Sequence, residues 1–228
     1  MAEGYFSQKT LRFLTALALN NDREWFEMHK ADYECLVREP ALELIRDFAP
    51  ALKKISPHML AINKKVGGSL MRVQRDTRFS PDKTPYKTNI GIQFRHEIGK
   101  DVHAPGFYLH IAPDGCFFGT GVWHPDAEAL AKIRARIIEK PNLWNKVSKE
   151  PKFRALFELG GDSLTRPPRG IDPDHPAIND LKRKDHVAMT NLSPRDAFSP
   201  QLLKTLFEGL YLTKAYTRFL CGALELPF

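Results

Sequence analysis

The sequence predicts an α+β fold, with a central, mostly antiparallel sheet of about four to six strands flanked by N-terminal and C-terminal helices. Three observations predict it. Apolar residues recur at helical spacing through residues 1–66. From Gly67-Gly68 to Pro125 the segments are short, aromatic or β-branched, and bounded by Gly and Pro. Helical spacing returns over 126–228. No Pro/Gly-rich seam divides these parts, so a single domain over 1–228 is expected.

Taken in order, Ser7 can cap a helix running to about Leu19, because its hydroxyl can accept from an early orphan N–H. Asp22 can cap a second, Arg23 to about Arg38, with Trp25, Phe26, His29, Tyr33 and Leu36 on one face. Pro40 suits the first turn of a third, which carries Leu42, Leu44, Ile45, Phe48 and Leu52. Ser69–Arg75, Thr88–His96, Gly106–Ala112 and Cys116–Trp123 read as strands. Pro113-Asp114-Gly115 signals a hairpin between the last two. With Asp114-Gly115 as its turn, His110 opposes Gly119 and Tyr108 opposes Gly121; the two rings then wall a concave strip or simply cover the glycines. Asp126 caps a helix with Leu130, Ile133, Ile137 and Ile138, and Pro141 and Pro151 open shorter ones. Gly160 to Pro176 reads as an ordered surface loop and His186–Asn191 as a final strand. Ser199 caps a last helix holding Leu202 through Leu220.

The chain has a formal net charge of +7, which favours anionic partners: phosphorylated small molecules first, nucleic acid less so. Its three cysteines are far apart, without a C-x-x-C pair, which argues against a disulfide framework and fits a reducing compartment. The apolar run Phe13–Leu19 superficially imitates a secretory leader, but Arg12 abuts it and Leu11, Leu14 and Ala18 keep helical spacing. No apolar stretch approaches the length that spans a bilayer. A cytoplasmic protein without membrane association is expected, and nothing in the sequence sets an oligomeric state.

Arg72 to Lys87 is the densest charged segment, with five cationic side chains and two carboxylates. If Ser69–Arg75 is a strand, Arg72 and Gln74 share one face, and Val73 and Arg75 the other. Pro81 and Pro85 then force the chain into a loop. Guanidinium forks suit bidentate contact with phosphate or carboxylate. Arg72, Arg75, Arg78 and Lys83 can thus clamp an anion, with Asp76 and Asp82 orienting them and Tyr86, Tyr108 and His110 lining a pocket. The alternative is an internal ion-pair network, in which Asp76 pairs with Arg72 or Arg78 and late carboxylates such as Asp180 or Asp185 take the rest.

The pattern R-x-x-R-D-x-R-F-x-x-D-K-x-x-Y, met by Arg72, Arg75, Asp76, Arg78, Phe79, Asp82, Lys83 and Tyr86, resembles that of a widespread bacterial family. That family is catalogued as a domain of unknown function, number 2461. The likeness extends to Asn20-Asn21-x-Arg23-x-Trp25-Phe26, Gly119-x-Gly121-x-Trp123-x-Pro125, Pro168-Arg169-Gly170 and Asp180-Leu181-Lys182-Arg183-Lys184. The resemblance implies no activity, cofactor or catalytic residue.

Other constellations are weaker. His103, His110, His124 and Asp126 lie near the strands, but without the spacing of a zinc motif, so no metal is expected. Asp172 to Pro176 and Asp180 to His186 form a second charged patch. It either closes over the first cluster, offering His175 or His186 for proton transfer alongside His110, or is a solvated turn and helix end. No phosphate-binding glycine loop, dinucleotide fingerprint or nucleophile elbow occurs, and no cofactor is expected. Three readings remain: a binder of a phosphate- or carboxylate-bearing small ligand, with or without catalysis; a nucleic-acid-binding protein, given aromatics among the basic residues (Phe79, Tyr86, Phe94); or a non-catalytic scaffold with an architectural charge network.

Overall fold

The computed structural model describes residues 4–78, 81–98 and 104–228; Phe79 and His103 lie outside them. The fold is α+β, as expected. A six-stranded, entirely antiparallel sheet has the order β1-β2-β3-β4-β6-β5, with β1 Met59–Leu60, β2 Ile90–His96, β3 Gly106–Ala112, β4 Gly115–Val122, β5 Glu158–Gly160 and β6 His186–Leu192.

The N-terminal part is helical. Ser7 caps α1 (Gln8–Leu19) through a full capping box with Thr10. Asp22 caps α2 (Arg23–Met28) by accepting from the Trp25 N–H. The expected second helix does not run unbroken to Arg38. It breaks at His29, whose ring stacks on Trp25 at 4.0 Å and whose Nδ1 meets the Trp25 carbonyl. From α3 (Lys30–Tyr33) the chain stays helical through a π-turn, Glu34–Arg38, into α4 (Glu39–Ile55). The widened turn lies where Pro40 needs it. Proline has no N–H for the carbonyl of Leu36, and that carbonyl accepts from the Thr10 hydroxyl at 3.1 Å instead.

The later helices are α5 (Ala127–Glu139), capped by Asp126, α6 (Pro141–Ser148), α7 (Pro151–Leu156), α8 (Ile178–Leu181), α9 (Pro194–Ala197), α10 (Leu202–Leu212) and α11 (Lys214–Ala223). The expected last helix is thus two, parted at Thr213, and Gln201 rather than Ser199 stands at its N-cap. Among the described residues no helix is long and apolar enough to cross a membrane.

The sheet carries its core on one face; on the other, Val187 of β6 is also buried, opposite Gly121 and Gly160. Ile90, Ile92, Phe94, Phe107, Leu109, Ile111, Cys116, Phe118, Val122, Ala188 and Leu192 alternate into the core beneath α4, α10 and α11. Thr120 ties β4 to α11 through a 2.9 Å contact with the Thr217 hydroxyl. By the same alternation Gln93, Arg95, Tyr108, His110, Phe117, Met189 and Asn191 point the other way; none belongs to the core, and all are half-buried or exposed.

Two strand expectations need correction. Ser69–Arg75 is not a strand. It touches the sheet at one bridge, Leu70 to Ile92, then leaves and bridges Gln74 to Tyr86. The N–H of Arg75 goes to the Pro85 carbonyl and that of Lys87 to Val73, so the segment pairs locally with its own proline-braced return. The hairpin turn is Pro113-Asp114, with Ala112 opposite Gly115. Tyr108 therefore opposes Gly119 and His110 opposes Phe117. The shift is two residues, so both rings keep their face. It moves Pro113, which cannot donate to a ladder, out of a paired position.

Gly119 and Gly121 are required by the approach of β6. A side chain at Gly119 would begin 2.2 Å from the Ala188 carbonyl oxygen, and one at Gly121, with φ +133°, 2.1 Å from that of His186. Gly121→Ala is expected to cost more than ~3 kcal/mol of stability or to abolish folding. Gly115→Ala, where a side chain meets nothing within 4 Å, should stay within ~1 kcal/mol of wild type. Urea denaturation of the two variants checks the contrast.

Candidate functional site

The charged segment lies on the surface, where Arg72 and Arg78 are 67% and 75% exposed. Asp76 is gripped by Arg78 at both oxygens, at 2.9 and 2.7 Å, and also accepts the Arg78 backbone N–H. These bonds hold its carboxyl well below the usual carboxylate range. Arg72 reaches the same carboxylate only at 3.9 Å. Asp82 accepts from the Thr84 N–H and hydroxyl at 2.9 and 2.7 Å, which lower its pKa first, with a lesser share from Arg75 at 2.7 Å. Lys83 donates to the Thr77 carbonyl at 2.8 Å, a neutral partner.

Five cations face two carboxylates, which leaves a surplus of three positive charges. Lys87 carries part of it. Its ammonium is half-buried and has no hydrogen-bond or ion-pair partner among the described residues. Its pKa is pushed down by burial first and then by Arg72 and Arg75. Cations drawn together without a counter-charge make a place where an external anion gains more than it would elsewhere on the surface.

Of the expected pocket residues, Tyr86 does not line a pocket. It is 6% exposed and stacks on Phe26 at 4.0 Å. The Asn21 amide clamps its backbone N–H and carbonyl, both at 3.0 Å. Tyr108 and His110 do come together, with hydroxyl and Nδ1 3.1 Å apart on the open face. Burial raises the Tyr108 pKa and lowers that of His110, the latter partly offset by Asp114. The His110 ring stacks on Phe117 at 4.5 Å and 10°. Tyr108 leans over Gly91, where a side chain would come within 2.9 Å of its hydroxyl and of the Met71 sulfur. Because Met71 adjoins Arg72 and Asn89 reaches His110 at 3.4 Å two residues after Lys87, the charged segment and this aromatic group are neighbours.

The second charged patch is engaged with itself. Asp180 accepts from the Trp144 indole N–H at 2.8 Å and from Arg183 at 3.3 Å. Arg134 caps the carbonyls of Leu181 and Arg183. Asp185 is buried and accepts the N–H groups of His124 and Asp162 at 2.7 and 2.9 Å. Neither carboxylate pairs with the Arg72–Lys87 segment, contrary to the expected network. His175 accepts from the Ala177 N–H in a surface turn, and His186 is fully buried against Trp144, so neither joins His110. Among the described residues no cluster could hold a metal ion.

Sequence reasoning missed two features. His124 adopts a left-handed φ of 48° and sets its Nδ1 3.5 Å from the Asp185 carboxylate, so that Asp185 ties the β4 exit to the β6 entry. No spacing rule links residues so far apart. Phe117 completes the open-face aromatics opposite His110, a pairing that the expected register, two residues off, gives to Gly119.

These features define an α+β protein with its core on one face of the sheet, and with an aromatic group on the other face beside a cationic loop. The chain belongs to the family described as "Conserved hypothetical protein (DUF2461)", whose profile matches residues 9–219. No curated protein and no solved structure matches it.

His186 yields a pH prediction. Neither ring nitrogen has a hydrogen-bond partner among the described residues, and burial, helped by Arg183 and Arg134 against Asp180 and Asp185, lowers its pKa to about 4. The folded chain thus refuses a proton that the unfolded chain accepts near its ordinary ~6.5. Stability from this group is complete above that value and falls as pH drops towards about 4, by up to ~3 kcal/mol. Urea midpoints across this range should flatten in His186→Phe, with no loss of stability at neutral pH.

Proposed function

We propose that the chain binds a phosphate- or carboxylate-bearing ligand through Arg72, Arg75 and Lys87, beside Tyr108 and His110. The carrying observation is the Lys87 ammonium, half-buried between cations without a carboxylate of its own. Arg75 is held by Asp82 and Thr84 and presents its remaining donors in a fixed orientation. Asp76 is the internal competitor, because it draws on both Arg78 and Arg72. Arg78 and Lys83 brace the loop rather than meet the ligand. The three cysteines are free thiols, which supports a reducing compartment, and we place the protein in the cytoplasm.

Thermal melting with pyrophosphate and citrate tests the reading. At a hundredfold excess over Kd, binding should raise the Tm of wild type by roughly 5–10 °C. Lys87→Ala should abolish the rise, and Asp76→Asn, which releases Arg72 from its competitor, should enlarge it. Equal shifts in wild type and Lys87→Ala would sink the proposal.

A further inference from the structure

We propose that the open face of the sheet binds single-stranded nucleic acid, with bases stacking on the Tyr108–His110–Phe117 group and on Trp123, and phosphates held by Arg72, Arg75 and Lys87. The inference rests on the anion-binding reading above and names the anion's source.

The solvated face of an antiparallel sheet ordinarily carries polar side chains. Here it carries a contiguous aromatic group. His110 and Phe117 lie parallel, and Tyr108 sits 6.0 and 5.9 Å from them. Among the described residues, none of the three belongs to the core cluster or packs against it. Trp123, 55% exposed, follows directly after β4, at the other end of the strand from Phe117. Six residues of extended chain place the two rings on the order of 20 Å apart, a span of several nucleotides rather than one.

The charge distribution fits. The cationic loop adjoins the aromatic group at Met71 and Asn89. The exposed Arg95 lies on the same face, steadied by a 3.0 Å bond to Gln93. The shape decides between a polymer and a small ligand. Sites for small ligands are concave and bury most of the ligand. Arg72 at 67% exposure and Trp123 at 55% stand on open surface. Flat aromatic platforms flanked by cations suit a strand whose unpaired bases each offer a face, whereas a duplex keeps its bases stacked inside.

Fluorescence anisotropy with a labelled oligouridine of about twelve nucleotides, an oligothymidine of equal length, and a duplex tests the proposal. Single strands should bind at low salt, with a log–log salt slope of about −2 for three phosphate contacts. Phe117→Ala and Trp123→Ala should each weaken binding about tenfold or more and leave the slope unchanged. Lys87→Ala should weaken binding and reduce the slope by about 0.7. Phe117→Ala is half-exposed at its site, and a melting curve confirms its fold; Trp123→Ala serves as the second variant. Duplex binding as tight as single-strand binding overturns the stacking. If pyrophosphate stabilises the protein while no oligonucleotide binds at low salt, this proposal falls and the anion-binding reading stands. If neither binds, both fall.

Discussion

Between β4 and β6 the backbones come so close at Gly119 and Gly121 that a methyl group on either would overlap a carbonyl oxygen of the neighbouring strand. This approach pins the register in which Cys116 meets Leu192 and Val122 meets His186. Register decides everything on both faces, because a slip of one residue would carry Phe118, Thr120 and Val122 out of the core. The same pinning turns Phe117 to the opposite face and brings Asp185 beside the exit of β4, where it accepts the His124 N–H. The core beneath the helices and the aromatic group above thus follow from one close contact.

The two charged patches show how similar compositions reach opposite ends. In the late patch the guanidinium and indole donors find geometric partners inside the fold: Arg183 has Asp180 and two carbonyls, Arg134 has two carbonyls, and Trp144 has Asp180. Buried charge is tolerable only when satisfied in this way, and satisfaction leaves nothing for a ligand. In the early patch two carboxylates serve five cations near the surface, where solvent tolerates the remainder. Among the described residues of this segment Val73 and Tyr86 enter the core, and Tyr86 anchors it to α2 and the loop before it.

Much of this was legible before the structure. Local chemistry marked the caps at Ser7, Asp22 and Asp126 and the helices opened by Pro141 and Pro151, and each of these stands where its residues direct; the β3–β4 hairpin forms, but turns one residue earlier than expected. Some failures are local, as at Pro113 and His29, and in the others a distant partner decided the outcome. The helix break at His29 follows from a ring stacking on Trp25. The passage of Pro40 through a continuous helix depends on Thr10 taking a carbonyl of another turn. Ser69–Arg75 has strand composition, but it divides its backbone bonds between β2 and the loop at Pro85–Lys87. In the site, the identity of the cations was plain and their pairing was not. Tyr86, polar enough to suggest a pocket, is drawn into the core by Phe26 and the Asn21 amide.

The two sides of the sheet therefore differ in what constrains their residues. On the core side, volume and register leave few alternatives, and the buried Thr120 and Thr217 hydroxyls satisfy each other. On the opposite side no packing requirement explains an aromatic at Phe117, nor past the end of the strand at Trp123, since neither supports the core. A solvated strand position is satisfied by a small polar residue, and an exposed aromatic raises the risk of adhesion. A charged edge loop beside such rings reduces that risk by repelling copies of the same basic chain, while it attracts anions. The combination that keeps two molecules of this protein apart is thus the same one that favours a polyanion with flat, unpaired rings.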